Sequence, residues 1–492
     1  MRKVTKGFAP LVALALVAAA CGGDDDAADE PSEPPAEDTA DEPTGDTADE
    51  PTEDTADEPT EDTADEPTED TADEPSEDTG GQEPAEEIVT DFGVTEDTIR
   101  IGLNADLSGL FAPLVTQITD AQQVFWEIVN DNGGIAGRQV ELVIIDNAYD
   151  VPTHLENYAE MADESEEGVI FFSQSTGSPH TAATAEDLVD DDLIAIPLSW
   201  YSGFADPGIG QNVMELYTNY CIEAMNGIEY LAGENGATTL GIVSFPGEYG
   251  QDGAQGAKIA AEALGLEIVY DGEGAVVPGS DQTPVITELV AADPDLVWAT
   301  LNPTTLAEVL GGAYQQGLRA LWSGNSPTWN YQLLATDLGP IADEVFHYST
   351  YTALWGAIDS PGMTEMIEGM RAKRPDAVLS DTYIVGWTEG LATKAVLEQA
   401  AANGDMTRAG VVKAFNEVEV DMKGLAPDQS WFGEPNDFIV RESYIYDVVL
   451  DEFDAGATVS DDDVGTGHVL EVGPYSGSIA EGYDFQEACF SG

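Results

Sequence analysis

From about residue 98 onward, short runs rich in branched apolar residues alternate with segments whose apolar residues recur every three to four positions. The first pattern reads as buried strand and the second as helix. A first series of strands is expected at Thr98–Ala105, 140–146, 168–172 and 193–197. Between them Ile118, Ala121, Phe125 and Ile128 mark one helical face, ended by Gly133-Gly134, and further helices are expected near 152–163 and 179–190. The rhythm restarts with strands at 240–244, 267–270 and 295–300. The helices of this second series are expected at 251–264, closed by Gly265, and near 284–292 and 304–316. Residues 361–416 read as mainly helical and 437–450 as β. Nearly all-apolar strands need cover on both faces, which helices supply when β and α alternate around a parallel sheet. Two series imply two doubly wound α/β lobes, with ligands expected at the loops beyond the carboxyl ends of the strands.

The first ninety residues have no such pattern. Arg2, Lys3 and Lys6 precede an apolar run, Phe8 to Ala20, too short to span a bilayer, so residues 1–20 read as a secretory signal. The run ends Val17-Ala18-Ala19-Ala20-Cys21-Gly22, which resembles a bacterial lipobox, with Ala18 where that motif prefers Leu. The resemblance implies that Cys21 is lipidated and becomes the new N-terminus. Residues 22–87 hold thirty Asp/Glu and no Lys/Arg, and an octapeptide beginning at Asp46 returns at Asp54, Asp62 and Asp70. The unit has no large apolar residue, so it cannot offset the entropy of ordering. Residues 21–90 therefore read as a lipidated cysteine followed by a disordered, self-repelling tether. With no other segment able to span a membrane, the lipid is the expected anchor, facing outside the cytoplasm.

Charge and motif content exclude several functions. There are 96 acidic residues against 15 basic, a formal net charge of −81, the wrong sign for nucleic acid or an anionic lipid surface. Gly250, Gly253 and Gly256 open a helix after a strand, but a dinucleotide fingerprint needs a different spacing. No Gly-x-Ser-x-Gly elbow and no phosphate-binding loop occur. The four histidines show no metal-ligand spacing, and Asp461-Asp462-Asp463 with His468 reads as a solvated acidic run. No cofactor, metal or catalytic residue is expected.

Three segments carry a family resemblance. They are Ile99-Arg100-Ile101-Gly102-Leu103-Asn104-Ala105-Asp106-Leu107-Ser108-Gly109, then Asn132-Gly133-Gly134-Ile135-Ala136-Gly137-Arg138, then Tyr249-Gly250. Their order and spacing resemble the branched-chain amino acid-type (leucine/isoleucine/valine-binding-like) solute-binding proteins of ABC transporters. One departure is Asp106, where the family usually has Pro. The resemblance implies the type I periplasmic binding protein fold over residues 91–492, with two lobes joined by three crossovers and closing on a ligand. Lobe 1 is expected at about 97–215 and 350–425, and lobe 2 at about 216–349 and 426–492. By position, the family's ligand contacts fall on Ser175 and Thr176 after the third strand, and on Ser199 and Trp200 after the fourth. In the second lobe they fall on Tyr249, Asn302 and Asn325. Asn325 falls where amino acid binders often place an acid for the ligand's ammonium; a neutral amide lacks that charge.

Once Cys21 is lipidated, Cys221 and Cys489 remain. In an exported protein they are expected to pair, stapling the C-terminal tail to a body helix. The body, 88–492, holds 66 acidic and 12 basic residues, a formal charge of −54, which suits a high-salt habitat. The expected function is a monomeric, lipid-anchored solute-binding component of an ABC importer. It would take up a small polar organic ligand, hand it to a permease and break no bond. A ligand sensor of the same fold, signalling through a membrane partner, is the alternative.

Overall fold

The computed structural model describes residues 88–491. The signal segment, Cys21 and nearly all of the tether lie outside the described residues. The folded chain begins slightly before the expected boundary at 91, because Val89 and Thr90 pair in parallel with Asp405 and Met406.

In the first sheet, strand Thr98–Ala105 lies between Gln139–Asp146 and Phe171–Thr176, with Ala195–Leu198 at the edge, all parallel. Ile99, Ile101, Leu103, Phe171 and Phe172 are buried, as two-sided cover requires. The third strand runs 171–176, not 168–172, so the polar stretch Ser173–Thr176 is strand where a loop was expected. Hydrogen bonds to the covering helices replace apolar burial there. Ser173 Oγ donates to Gln122 Oε1 at 2.9 Å and lies 2.7 Å from Thr393 Oγ1; Thr119 Oγ1 donates to Gln174 Oε1 at 3.1 Å.

Helices Ala112–Asp131 and Tyr383–Ala402 pack closely over this sheet. A side chain at Gly386 would overlap the Ile118 carbonyl, and one at Gly390 would meet the Phe125 ring. Between them Gln122 Nε2 donates to Glu389 Oε2 at 2.6 Å and to the Ser173 carbonyl at 3.0 Å. Desolvation pushes the Glu389 carboxyl well above the usual carboxylate range.

The second sheet is built the same way. Thr239–Ser244 lies between Glu267–Gly272 and Leu296–Thr300, with Leu321–Gly324 beyond. A bridge from Trp322 to Phe346 carries it to His347–Thr350, which pairs antiparallel with Ser443–Phe453, and that strand with Thr466–Tyr475. Side-chain caps start the helices that follow these strands and crossovers: Asp150, Asn219, Asn302, Ser360 and Thr407 each accept a backbone N–H. Gly236 and Gly265 end two helices at φ 67° and 73°, the left-handed conformation that costs glycine least.

The chain crosses between the sheets over 199–219, 351–360 and 416–442. A disulfide joins Cys221, in the first turn of helix Tyr220–Asn235, to Cys489 in the tail. The Tyr201 hydroxyl donates to the Phe490 carbonyl at 2.6 Å, and the backbone N–H of Ser478 and Ile479 donate to Glu229. No helix among the described residues is long and apolar enough to cross a membrane.

Candidate functional site

A pocket opens between the lobes at the carboxyl ends of both sheets, enclosing about 670 Å³ of empty space including its mouth. The first lobe contributes Phe111 and the first turns of helix Ala112–Asp131, Tyr149, Thr176–Ser178 and Leu198. The second contributes Tyr220, Tyr249, Ser326–Pro327, Trp329 and Tyr348. Trp200, Tyr351 and Leu354 come from the crossovers, and Asp381 and Thr382 from the start of helix Tyr383–Ala402. The lining is mostly aromatic and aliphatic and contains no Lys or Arg.

The lobes touch across it. Phe111 meets Tyr249 edge-on, ring centroids 5.7 Å apart, and Asn302 Nδ2 donates to the Leu110 carbonyl at 3.1 Å. Asp106 explains how Phe111 is aimed. Its carboxylate accepts from the backbone N–H of Gly109 at 2.5 Å and of Phe111 at 2.7 Å, folding the Leu-Ser-Gly loop back on itself. Thus the residue that departs from the family's Pro sets the geometry of one pocket wall.

Three polar atoms of this lining are buried without a hydrogen-bond partner: Thr176 Oγ1, Trp200 Nε1 and Asp381 Oδ2. Buried polar atoms are almost always paired, so each is a candidate ligand contact. The Trp200 ring packs on Tyr351 at 4.1 Å and edge-on to Tyr220 at 5.9 Å, which holds the indole in place. Beside Thr176, Gly177 caps the thirteen-residue helix Ser178–Asp190 at φ 109°. The free N–H groups of that first turn give the pocket a partial positive charge.

The other expected contacts are spent on structure. Ser175 Oγ lies 2.8 Å from Thr181 Oγ1 and 3.3 Å from His154 Nε2, and Ser199 Oγ lies 2.6 Å from Ser178 Oγ. Asn302 caps helix Pro303–Gln315, its Oδ1 accepting from the Thr305 N–H at 2.9 Å. Asn325 sits behind the wall. Its Oδ1 accepts from Trp298 Nε1 and Thr300 Oγ1, and its Nδ2 donates to the Tyr220 carbonyl and to Glu223 Oε2 at 2.7 Å. Glu223 also accepts from the Ser326 N–H at 3.0 Å, and desolvation pushes its carboxyl up to about 8 despite these bonds. Of the seven expected ligand contacts, the pocket brings together Thr176, Trp200 and Tyr249.

Several lining residues escaped the sequence reading. Tyr149 and Tyr351 each lie just past a strand's carboxyl end, where ligands of parallel sheets are expected, so that general rule reaches them. Tyr149 adopts φ 54°, rare for a bulky residue, and its N–H donates to Asn147 Oδ1 at 2.8 Å. Asp381 gave no local signal. Its Oδ1 accepts from the Trp355 N–H at 3.0 Å and Thr466 Oγ1 at 2.9 Å, while Oδ2 lies 2.9 Å from His468 Nδ1, outside hydrogen-bond geometry. His468 Nε2 accepts from Trp329 Nε1 at 2.8 Å. The reading of His468 as part of a solvated run is corrected: Asp461–Asp463 are exposed, but the histidine side chain is 1 % exposed because Asp381 and Trp329 enclose it.

Comparison with known proteins places this architecture. A family model described as periplasmic binding protein matches residues 98–456. The chain belongs to that family. Among solved structures it is similar to a fatty acid ABC transporter substrate-binding protein from Thermomonospora curvata, at 28% identity and TM-score 0.71, covering 80% of this chain and 97% of that one. It is also similar to a branched-chain amino acid ABC transporter protein from Thermus thermophilus with bound valine, at 18% identity and TM-score 0.64, covering 79% and 98%. A branched-chain amino acid transporter substrate-binding protein from Streptococcus pneumoniae, in complex with isoleucine, matches at 17% identity and TM-score 0.60, covering 76% and 98%. No curated protein matches the sequence. The fold is thus the type I periplasmic binding fold, and this periplasmic binding protein is a solute-binding protein rather than an enzyme.

Proposed function

We propose that this periplasmic binding protein captures a small carboxylate with a mainly apolar or aromatic body and delivers it to an ABC permease. The observation that carries the reading is the pair of unpartnered buried donors, Thr176 Oγ1 and Trp200 Nε1, in the lining of a mainly apolar and aromatic pocket. A carboxylate takes hydrogen bonds from both and sits at the N-terminus of helix Ser178–Asp190, which favours an anion without a cationic side chain. The likeness to a fatty acid-binding relative supports an apolar ligand body. A zwitterionic amino acid fits less well. Its ammonium would need a carboxylate, and the lining offers one carboxylate oxygen without a hydrogen bond, Asp381 Oδ2, buried 2.9 Å from His468, while Asn325 serves Glu223; titration with leucine tests this directly.

Calorimetric titration with octanoate, phenylacetate and leucine is the test. The carboxylates with apolar bodies should bind and leucine should not. Trp200→Phe keeps an aromatic ring but removes the N–H and should weaken octanoate by roughly ten- to a hundredfold, as for one hydrogen bond to a charged group. Leucine binding tighter than octanoate would overturn the reading, as would wild-type octanoate affinity in both Trp200→Phe and Thr176→Val.

Export through residues 1–20, lipidation of Cys21, the tether over 21–90 and a monomeric, outward-facing body complete the proposal; the lipobox-like Ala19-Ala20-Cys21-Gly22 supports it. Cys21→Ser should abolish incorporation of labelled fatty acid into the protein.

A further inference from the structure

A second cavity lies on the crossover side of the molecule, with about 740 Å³ of empty space including its mouth. Its walls come from the first crossover, residues 204–217, and from residues 415–440 around the third. Phe204, Tyr217, Phe415, Trp431 and Phe438 supply aromatic surface. Tyr217 also stacks on Tyr351 of the interlobe pocket, centroids 4.8 Å apart and planes 3° apart, so this ring partitions the two cavities.

One acid enters this apolar lining. Glu215 is 8 % exposed, and its Oε1 is buried without a partner. Its backbone is fixed, because the Glu215 carbonyl accepts from Gln429 Nε2 at 3.0 Å and Trp431 Nε1 at 2.7 Å. No Lys, Arg or second carboxylate lines the cavity, so nothing in the wall neutralises Glu215. An unpaired acid among aromatic faces has the features that recognise an organic ammonium: a charge-assisted acceptor and rings that favour a cation. The chain's net charge of −81 draws cations toward it.

We propose that this cavity is a second ligand site, separate from the interlobe pocket, that takes a small arylalkyl or alkyl ammonium compound with Glu215 as its counter-ion.

Burial holds the free Glu215 carboxyl well above the usual carboxylate range, with the charge of Asp252 adding to the effect. An ammonium stabilises the ionised carboxylate, so any proton the free carboxyl holds leaves when the cation binds. The probe is 2-phenylethylammonium, with 3-phenylpropanoate as the anionic control, titrated by calorimetry into the wild-type body in two buffers of different ionisation enthalpy. The amine should bind and the anion should not compete with it. Any proton release on amine binding should disappear in Glu215→Gln. Glu215→Gln keeps the shape and should weaken the amine by roughly tenfold or more while leaving octanoate affinity unchanged. Absence of amine binding at about 5 mM would overturn the proposal. So would amine affinity unchanged in Glu215→Gln, or weakened equally by Trp200→Phe, which would put the amine in the interlobe pocket. Should Glu215→Gln fail to fold, Phe438→Ala decides, because this ring lines the cavity and is only partly buried: a weaker amine supports the site, and an unchanged affinity overturns it.

Discussion

Tyr249 is held in the pocket wall by its hydroxyl, which donates to the Leu301 carbonyl at 2.6 Å and lies 3.2 Å from Thr328 Oγ1. The ring is left to meet the ligand. Tyr249→Phe should keep octanoate affinity within about twofold and lower stability by about 1 kcal/mol, one net hydrogen bond. Calorimetry and urea unfolding read the two effects; a large affinity loss at unchanged stability would mean the hydroxyl turns to the ligand. Glu223 makes a different residue-scale prediction. Its carboxyl is raised from 4.5 to about 8 by desolvation, so the folded state holds a proton that the unfolded state has lost. Its contribution is fully present below about pH 4.5 and falls as pH rises to about 8, with a slope up to about 1.4 kcal/mol per pH unit. Glu223→Gln should flatten the fall in urea stability between about pH 5 and pH 8. An identical slope in wild type and variant would show that Glu223 is ionised in the fold.

At the scale of elements, the contact of helices Ala112–Asp131 and Tyr383–Ala402 depends on two glycines. Gly386 faces the Ile118 carbonyl, a backbone atom that cannot turn aside, whereas Gly390 faces the Phe125 ring, which can. Gly386→Ala should therefore destabilise the body by about 1–3 kcal/mol through overpacking, and Gly390→Ala by less. Thermal unfolding of both variants checks the order; equal melting temperatures would mean the helices separate at little cost. The same pair shows why the third strand was misplaced in the sequence. Ser173, Gln174 and Ser175 look like a loop by composition. They stay in the sheet because Gln122, Thr119, Thr393 and Thr181 meet them with hydrogen-bonding atoms. Those partners sit up to 220 residues away in the chain, beyond any local pattern.

For the whole molecule, charge dominates. The body's 66 acidic residues face 12 basic ones, and not every base is free for an acid: Arg408 is buried and donates to the carbonyls of Ala162, Asp163 and Val169. Self-repulsion should weaken as the screening length falls from about 10 Å at 0.1 M salt to about 3 Å at 1 M. The body should melt higher in 1 M KCl than in 0.05 M. A melting temperature that stays level or drops would show that the acids are already compensated locally.

The two-lobed architecture was legible because it rests on periodicity, and periodicity is written locally: apolar runs at 98–105 and 240–244, helical faces such as Ile118 to Ile128, and stops at Gly133-Gly134 and Gly265. Thr176, Trp200 and Tyr249 were reached through the family resemblance, whose contact positions follow strand ends, where parallel sheets place their ligands. What the folded chain alone decided is which polar atoms remain without partners. Ser175, Ser199, Asn302 and Asn325 carry the same chemistry as Thr176, but neighbours from other elements satisfy them. Asp381, His468 and Trp329 meet only in three dimensions, as does Glu215 with its aromatic cavity. Hydrogen bonding is short-ranged and saturable, so whether a side chain serves the ligand or the fold depends on partners far away in the chain.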